Sequence, residues 1–282
     1  MDYVKPIDVV ATMIESARAK LALAPRDLLI RGMLSGALLG AATSLALGAM
    51  VSTGQPLVGA LIFPVSLVMI VLLGLELVTG SFGLLPLARL EDGIDSKKII
   101  VNWSWVFVGN LIGSIIYGAL LAIALTNMGK VAPTGVAAKI VAIAEMKTTG
   151  YAAFGAAGWV TAFVKAILCN WLVCLGVVMG MCSKSTIGKI AAIWLPIFTF
   201  FAQGFEHAVV NMFIIPTGML LGAKVSFVDW WLWNQIPVTL GNIVGGFVFT
   251  GLALYVTCRP RTADQTASEP AFVPAAAQVP AE

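Results

Sequence analysis

Long apolar stretches parted by short polar ones make up most of this chain. They run over about 28–51, 57–87, 99–127, 157–182, 190–222 and 230–257. Each can cross a hydrocarbon core, which takes about 20 apolar residues in helical form. A helix is suited to that setting because it satisfies its own backbone hydrogen bonds where no water can. The pattern predicts an all-α integral membrane protein of six transmembrane helices. The second and fifth stretches hold Pro64, Gly74, Gly80 and Pro86, and Pro196, Gly204 and Pro216, inside the apolar run. Such residues interrupt a helix, and the freed backbone is tolerated at membrane depth only against protein or a cavity. Helices two and five are therefore predicted to be broken.

The flanks read differently. Residues 1–26 carry Asp2, Lys5, Asp8, Glu15, Arg18, Lys20 and Arg26, with Ile7, Val10, Ile14, Ala17 and Leu21 at helical spacing. That is an amphipathic segment, lying on the membrane or packed on neighbouring loops, and it lacks the pattern of a cleavable signal. Residues 128–156, with Pro133 and several glycines, read as a polar-leaning loop. Residues 259–282 are rich in proline and alanine and read as a disordered cytoplasmic tail, leaving 27–258 as the membrane domain. Lysine and arginine crowd one side of this topology, from Lys5 to Arg31, then Arg89, Lys97, Lys98, Lys184, Lys189, Arg259 and Arg261. The other side has Lys130, Lys139, Lys147 and Lys224. Positive charge stays on the cytoplasmic side, so both termini are expected in the cytoplasm of a bacterial inner-membrane protein.

The chain also repeats itself. Asn102, Gly109-Asn110 and Gly113 in the third stretch recur as Asn234, Gly241-Asn242 and Gly245 in the sixth. Gly74-Leu-Glu76 in the second answers Gly204-Phe-Glu206 in the fifth, and Arg31 in the first answers Lys165 in the fourth. Three spans per repeat is odd, so the halves run oppositely through the membrane. An inverted 3+3 repeat with broken helices is a transporter or channel architecture, its path lying where the repeats meet. The glycine pairs also serve close helix packing. Trp103, Trp105, Trp230 and Trp231 read as interface belts.

Composition narrows the chemistry. Hydrophobic residues are 59% of the 282, charged residues 11%, and the net charge is +3, too small and dispersed for nucleic acid. Cys169, Cys174, Cys182 and Cys258 lie in or beside apolar stretches without a CxxC pair and read as inert thiols. A single histidine excludes a His-rich zinc site, and no GxxxxGK[ST] loop supports ATP-driven pumping, so no metal or cofactor is expected. That histidine, His207, lies inside the fifth stretch between Glu206 and, one turn on, Asn211. Ionisable groups at membrane depth are costly and mark a pathway or a site.

Three segments carry a resemblance: Glu76-Leu-Val-Thr-Gly-Ser81, Lys165-Ala-Ile-Leu-Cys-Asn-Trp-Leu-Val-Cys-Leu175 and Gly204-Phe-Glu-His-Ala-Val-Val-Asn-Met-Phe213. In this order they resemble the formate/nitrite transporter family, over roughly residues 10–258. The resemblance implies an aquaporin-like fold, a homopentamer with one pore per protomer, and passage of small monovalent anions such as formate, nitrite, hydrosulfide or lactate. It makes His207 the central histidine, with Glu206 and Asn211 around it and Thr79 facing it. It places Asn170 and Lys165 at polar positions of span four, and Phe63, Leu67, Phe200 and Val173 at apolar constrictions.

Those residues suggest a chemistry. A bare anion cannot cross a dry constriction, but a neutral acid can. Lys165 and the helix ends would draw the anion inward, and His207, which exchanges protons near neutral pH, would neutralise it as a proton relay. Thr79 would donate to the substrate, while Glu206 and Asn211 hold the imidazole. Each residue also has a plainer role. In that role His207 is a latch between helices, Glu206 and Glu76 are partners of exposed backbone N–H groups, Lys165 is a snorkelling anchor, Asn170 is a bundle clamp, and the four apolar residues are core. Two other functions compete. A water- or glycerol-type channel would resemble Asn-Pro-Ala triplets, which are absent. An intramembrane enzyme would want a nucleophile or metal constellation that this chain lacks.

Overall fold

The computed structural model describes residues 2–259, and the predicted tail lies almost wholly outside them. Among the described residues the regular structure is helical, apart from an isolated bridge between Tyr3 and Ser183. Four helices are long and apolar enough to cross a membrane: α2 (Pro25–Thr53), α6 (Ser96–Thr126), α9 (Ala156–Met181) and α12 (Phe227–Cys258). The last includes two π-helical stretches, Trp231–Gln235 and Phe247–Leu252.

The two proline-bearing stretches are divided. The first becomes α3 (Pro56–Ile62), α4 (Val65–Leu72) and α5 (Val78–Asp92); the second becomes α10 (Thr186–Ala202) and α11 (Ala208–Leu220). Between the pieces Gly74 and Gly204 adopt left-handed φ values of 61° and 65°, which favour glycine because a Cβ would be strained. Leu77 and His207 are then extended, at φ −118°, ψ 118° and φ −115°, ψ 120°.

Close approach of small residues joins α2 to α6 and α9 to α12. A Cβ on Gly113 would run into the Met33 carbonyl, and one on Gly245 into that of Ile167. Those glycines therefore serve packing, as small residues do between apolar helices. α5 and α11 fill the centre. Every residue from Ala208 to Gly218 is buried, as expected of a helix apolar on all sides.

The N-terminal α1 (Pro6–Leu21) lies on the bundle. Val9, Val10, Met13, Ile14 and Ala17 are buried against Leu84, Leu85, Leu87 and Ala88 of α5. Residues 128–156 are not the loop their composition suggests. They contain α7 (Val136–Met146) and α8 (Thr149–Ala152), because Ala137, Ile140 and Ala144 at helical spacing form one buried face. The tryptophans split as well. Trp105 points outward, whereas Trp230 is buried with Nε1 donating to Gln235, and Trp103 packs edge-on against Phe82 while donating to the Ser81 carbonyl.

Candidate functional site

Two breaks in apolar helices expose backbone groups that need partners. Asparagines from the long helices supply them. Asn110 accepts from the Val78 N–H at 3.0 Å and donates to the carbonyls of Gly32 and Glu76, each at 2.9 Å. Asn242 accepts from the Ala208 N–H at 2.9 Å and donates to the carbonyls of Ala166 and Glu206 at 2.9 and 3.0 Å. The sequence marked these asparagines as a repeat without revealing this role.

Each break also holds a carboxylate. Glu76 accepts from Lys20 Nζ through both oxygens at 2.8 Å, and Asn102 fixes the Lys20 carbonyl. Glu206 accepts from Lys147 Nζ at 2.7 Å, Tyr151 OH at 2.7 Å and Asn211 Nδ2 at 2.8 Å, and Asn234 fixes the Lys147 carbonyl. Glu206 is 2% exposed, so its charge is tolerable only because it is paired and hydrogen-bonded. The lysines come from α1 and from the end of α7, regions whose sequence gave no sign of reaching a buried acid.

His207 stands where the two broken stretches meet. Its Nδ1 accepts the Val210 N–H at 3.2 Å, so the residue caps α11. Its Nε2 lies 3.0 Å from Thr79 Oγ1, in the first turn of α5. With Nδ1 accepting, a neutral ring carries its hydrogen on Nε2 and donates it to Thr79, leaving the threonine hydroxyl free to donate elsewhere. The Phe200 ring stacks against the imidazole at 5.8 Å and 20°. Glu206 and Asn211 do not hold the imidazole as expected. Both are taken up instead by the Lys147 ion pair, Glu206 accepting from Lys147 Nζ and from Asn211 Nδ2.

Two cavities flank this junction. One, about 350 Å³, is lined by His207, Glu206, Lys147, Tyr151, Lys165 and Phe200. The other, about 340 Å³, is lined by Glu76, Leu77, Lys20, Arg31, Leu67 and Lys189. Phe63 stacks on Phe201 at 3.9 Å and meets Phe200 edge-on at 5.7 Å, and both of those rings line the His207-side cavity. Phe63, Leu67, Val173 and Phe200 are all buried. Lys165 Nζ lies 5.8 Å from the centre of the Tyr151 ring, and no carboxylate pairs with it among the described residues. Asn170 lines neither of these cavities. It donates to the carbonyls of Thr79 and Asn242, the clamp role, while its Oδ1 has no partner.

Two largely apolar cavities that each reach a paired acid, with buried aromatic rings and one imidazole beside them, fit a passage rather than a reaction centre. The formate/nitrite transporter family profile matches residues 7–256. The chain belongs to the formate/nitrite transporter family. A probable formate transporter of Methanothermobacter thermautotrophicus is 42% identical over 224 residues, covering 74% of this chain and 80% of that protein. The formate channel BtFdhC of Bacillus thuringiensis is 33% identical over 264 residues, covering 92% of this chain and 96% of that one. Among solved structures, an FNT family ion channel aligns at TM-score 0.73 and 27% identity, over 88% of this chain and 96% of that chain. A pentameric formate channel with formate bound aligns at 0.65 and 27%, over 82% and 96%. As a member of this family, with its long apolar helices, the chain is a multi-pass membrane transport protein.

Proposed function

We propose that this protein conducts a small monovalent weak-acid anion, formate first and nitrite, hydrosulfide and lactate as others of the class, through one pore per protomer of a homopentamer. Formate leads because the names of the relatives and of one solved neighbour point to it. In this reading α3–α4 with α5, and α10 with α11, are each one broken span. Six spans then form an inverted 3+3 repeat of aquaporin-like plan in a bacterial inner membrane, with residues 1–26 and the tail cytoplasmic. The matched asparagine clamps and ion pairs at the two breaks support that arrangement.

The single observation that carries the mechanism is the Thr79–His207 contact at the junction of the two cavities. Lys165 and the N-termini of α5 and α11 attract the anion. The Thr79 hydroxyl donates to a substrate oxygen. A proton taken up at His207 Nδ1 displaces the Val210 N–H, and the Nε2 hydrogen moves to Thr79 Oγ1 as the threonine hydrogen moves to the anion. The acid formed is neutral and passes the ring of Phe63, Leu67, Phe200 and Val173; the imidazole is left neutral with its hydrogen on Nδ1. Lipid, proton and anion are the partners, and no step calls for a cofactor.

Replacing His207 with Phe or Asn tests this in proteoliposomes, with formate flux followed across about pH 5–8. Flux should fall and lose its rise toward acid pH. Unchanged flux with an unchanged pH profile would remove the proton role.

A further inference from the structure

Each cavity contains one buried acid already neutralised by a lysine, and the remaining cations differ in kind. On the His207 side the excess charge is Lys165. On the other side, once Lys20 pairs with Glu76, Arg31 and Lys189 remain. Arg31 occupies the position that matches Lys165. Each residue directly precedes the carbonyl held by its asparagine clamp, Gly32 by Asn110 and Ala166 by Asn242.

Arg31 is also nearly unengaged. Its one protein hydrogen bond is a 3.5 Å contact from Nη1 to the Gly74 carbonyl, at the helix break itself. No carboxylate pairs with it among the described residues. A guanidinium offers five N–H donors in a planar fork that matches a carboxylate two-to-two. Such charge-assisted pairs are about twice as strong as neutral hydrogen bonds.

We propose that Arg31 is an anion-binding group of the Glu76-side cavity, receiving a small carboxylate in a two-point contact, as Lys165 receives it on the His207 side with a point charge. The inference rests on the transport reading above and adds a second loading site to it. Lys189 lines the same cavity and contributes charge at longer range. The two loading groups differ in chemistry, so the two directions of transport differ in apparent affinity and in their tolerance of substitution.

The test uses the full-length protein in proteoliposomes of defined orientation, with formate supplied from one face at a time. Arg31→Ala should raise KM about tenfold from the Arg31 face, with the maximal rate from that face within about twofold. From the opposite face KM should hold while the maximal rate falls by a factor similar to that rise in KM, since a passive pathway keeps the ratio of maximal rate to KM equal in both directions. Arg31→Lys, which keeps the charge and loses the fork, should raise KM about threefold on that face alone. Lys165→Ala should show the reverse sidedness. An unchanged KM in Arg31→Ala, or an equal rise in KM from both faces, overturns the proposal, the second outcome marking Arg31 as a support for the Gly74 loop. Absence of formate flux in the unmodified protein overturns the transport reading, and this proposal with it.

Discussion

The Glu76 and Glu206 centres share a framework and differ in what it carries. In both, an asparagine closes three backbone bonds at the break and a lysine from a peripheral helix or its end neutralises the acid. Among the described residues Glu76 has only Lys20 on its carboxylate, whereas Glu206 gathers Lys147, Tyr151 and Asn211 at 2.7–2.8 Å. Leu77 and His207 have nearly the same backbone angles, yet one is a hydrocarbon and the other the chain's single imidazole. Ser81 stands where Asn211 does and leaves its hydroxyl without a partner. The common parts satisfy backbone and charge in a dry interior; the singular parts, His207 and Thr79, are where chemistry can reside.

The largest break in this comparison comes from removing a lysine at the tighter centre. Lys147→Met leaves the buried Glu206 carboxylate without its cation, and breaking such a pair costs about 3–5 kcal/mol. Lys147→Met should yield little folded protein in detergent, measured by size-exclusion recovery and thermal unfolding. Adding Glu206→Gln should restore a good part, since the uncompensated charge is then gone. Failure of the second substitution to help would show that Lys147 acts through something other than its charge.

Such long-range pairs explain what the sequence could and could not disclose. The apolar stretch at 28–51 lies within α2, and that at 157–182 differs from α9 by one residue at each end, because hydropathy reports membrane burial directly. Gly74, Gly204 and the repeated asparagines were visible as matched patterns. Lys20 and Lys147 were not, since they reach acids 56 and 59 residues away and no local periodicity records that. Helix α7 hid behind small alanines and the neighbouring Pro133 and Gly135, which diluted its apolar face. His207 was found by being alone of its kind. Its ring is supported by the Val210 N–H and Thr79 rather than by its sequence neighbours Glu206 and Asn211, and the long-range Lys147 pair that takes those two away leaves no local trace.

Next in size is the exchange of the singular residue. His207→Leu makes the second centre resemble the first and should slow formate flux about a hundredfold, the scale of a lost proton-transfer group. Placing the imidazole on the other side, as Leu77→His in that background, should not restore it. The counterpart of Thr79 there is Val209, which has no hydroxyl. Val209→Thr added to the pair should recover part of the flux; recovery without it would mean that the imidazole needs no hydroxyl partner. Lys20→Met should cost less than Lys147→Met, about 1–3 kcal/mol. Lys20 is 20% exposed against 10% for Lys147, so water can partly replace it beside Glu76. Equal losses at the two lysines would erase the distinction drawn between a tight and a loose centre.

The smallest effect concerns the anchoring of the helix that carries Lys20. Arg18 of α1 pairs with Asp92 at the end of α5 through bonds of 2.8 and 2.6 Å, but both groups are solvent-exposed. The hydrogen bond from the Arg18 guanidinium holds the Asp92 carboxyl below its usual range. A carboxyl lowered on folding stabilises the folded state above the unfolded pKa, and that contribution is lost as pH falls through the folded value. Asp92→Asn should therefore lower the melting temperature slightly at neutral pH, with the difference from the unmodified protein closing below about pH 4. Formate flux should hold, because α1 is fixed chiefly by Val9, Val10, Met13 and Ile14 against α5. A large loss of flux would show instead that the looser centre depends on this surface pair to keep Lys20 beside Glu76, so that its asymmetry with the Glu206 centre extends to the rim of the bundle.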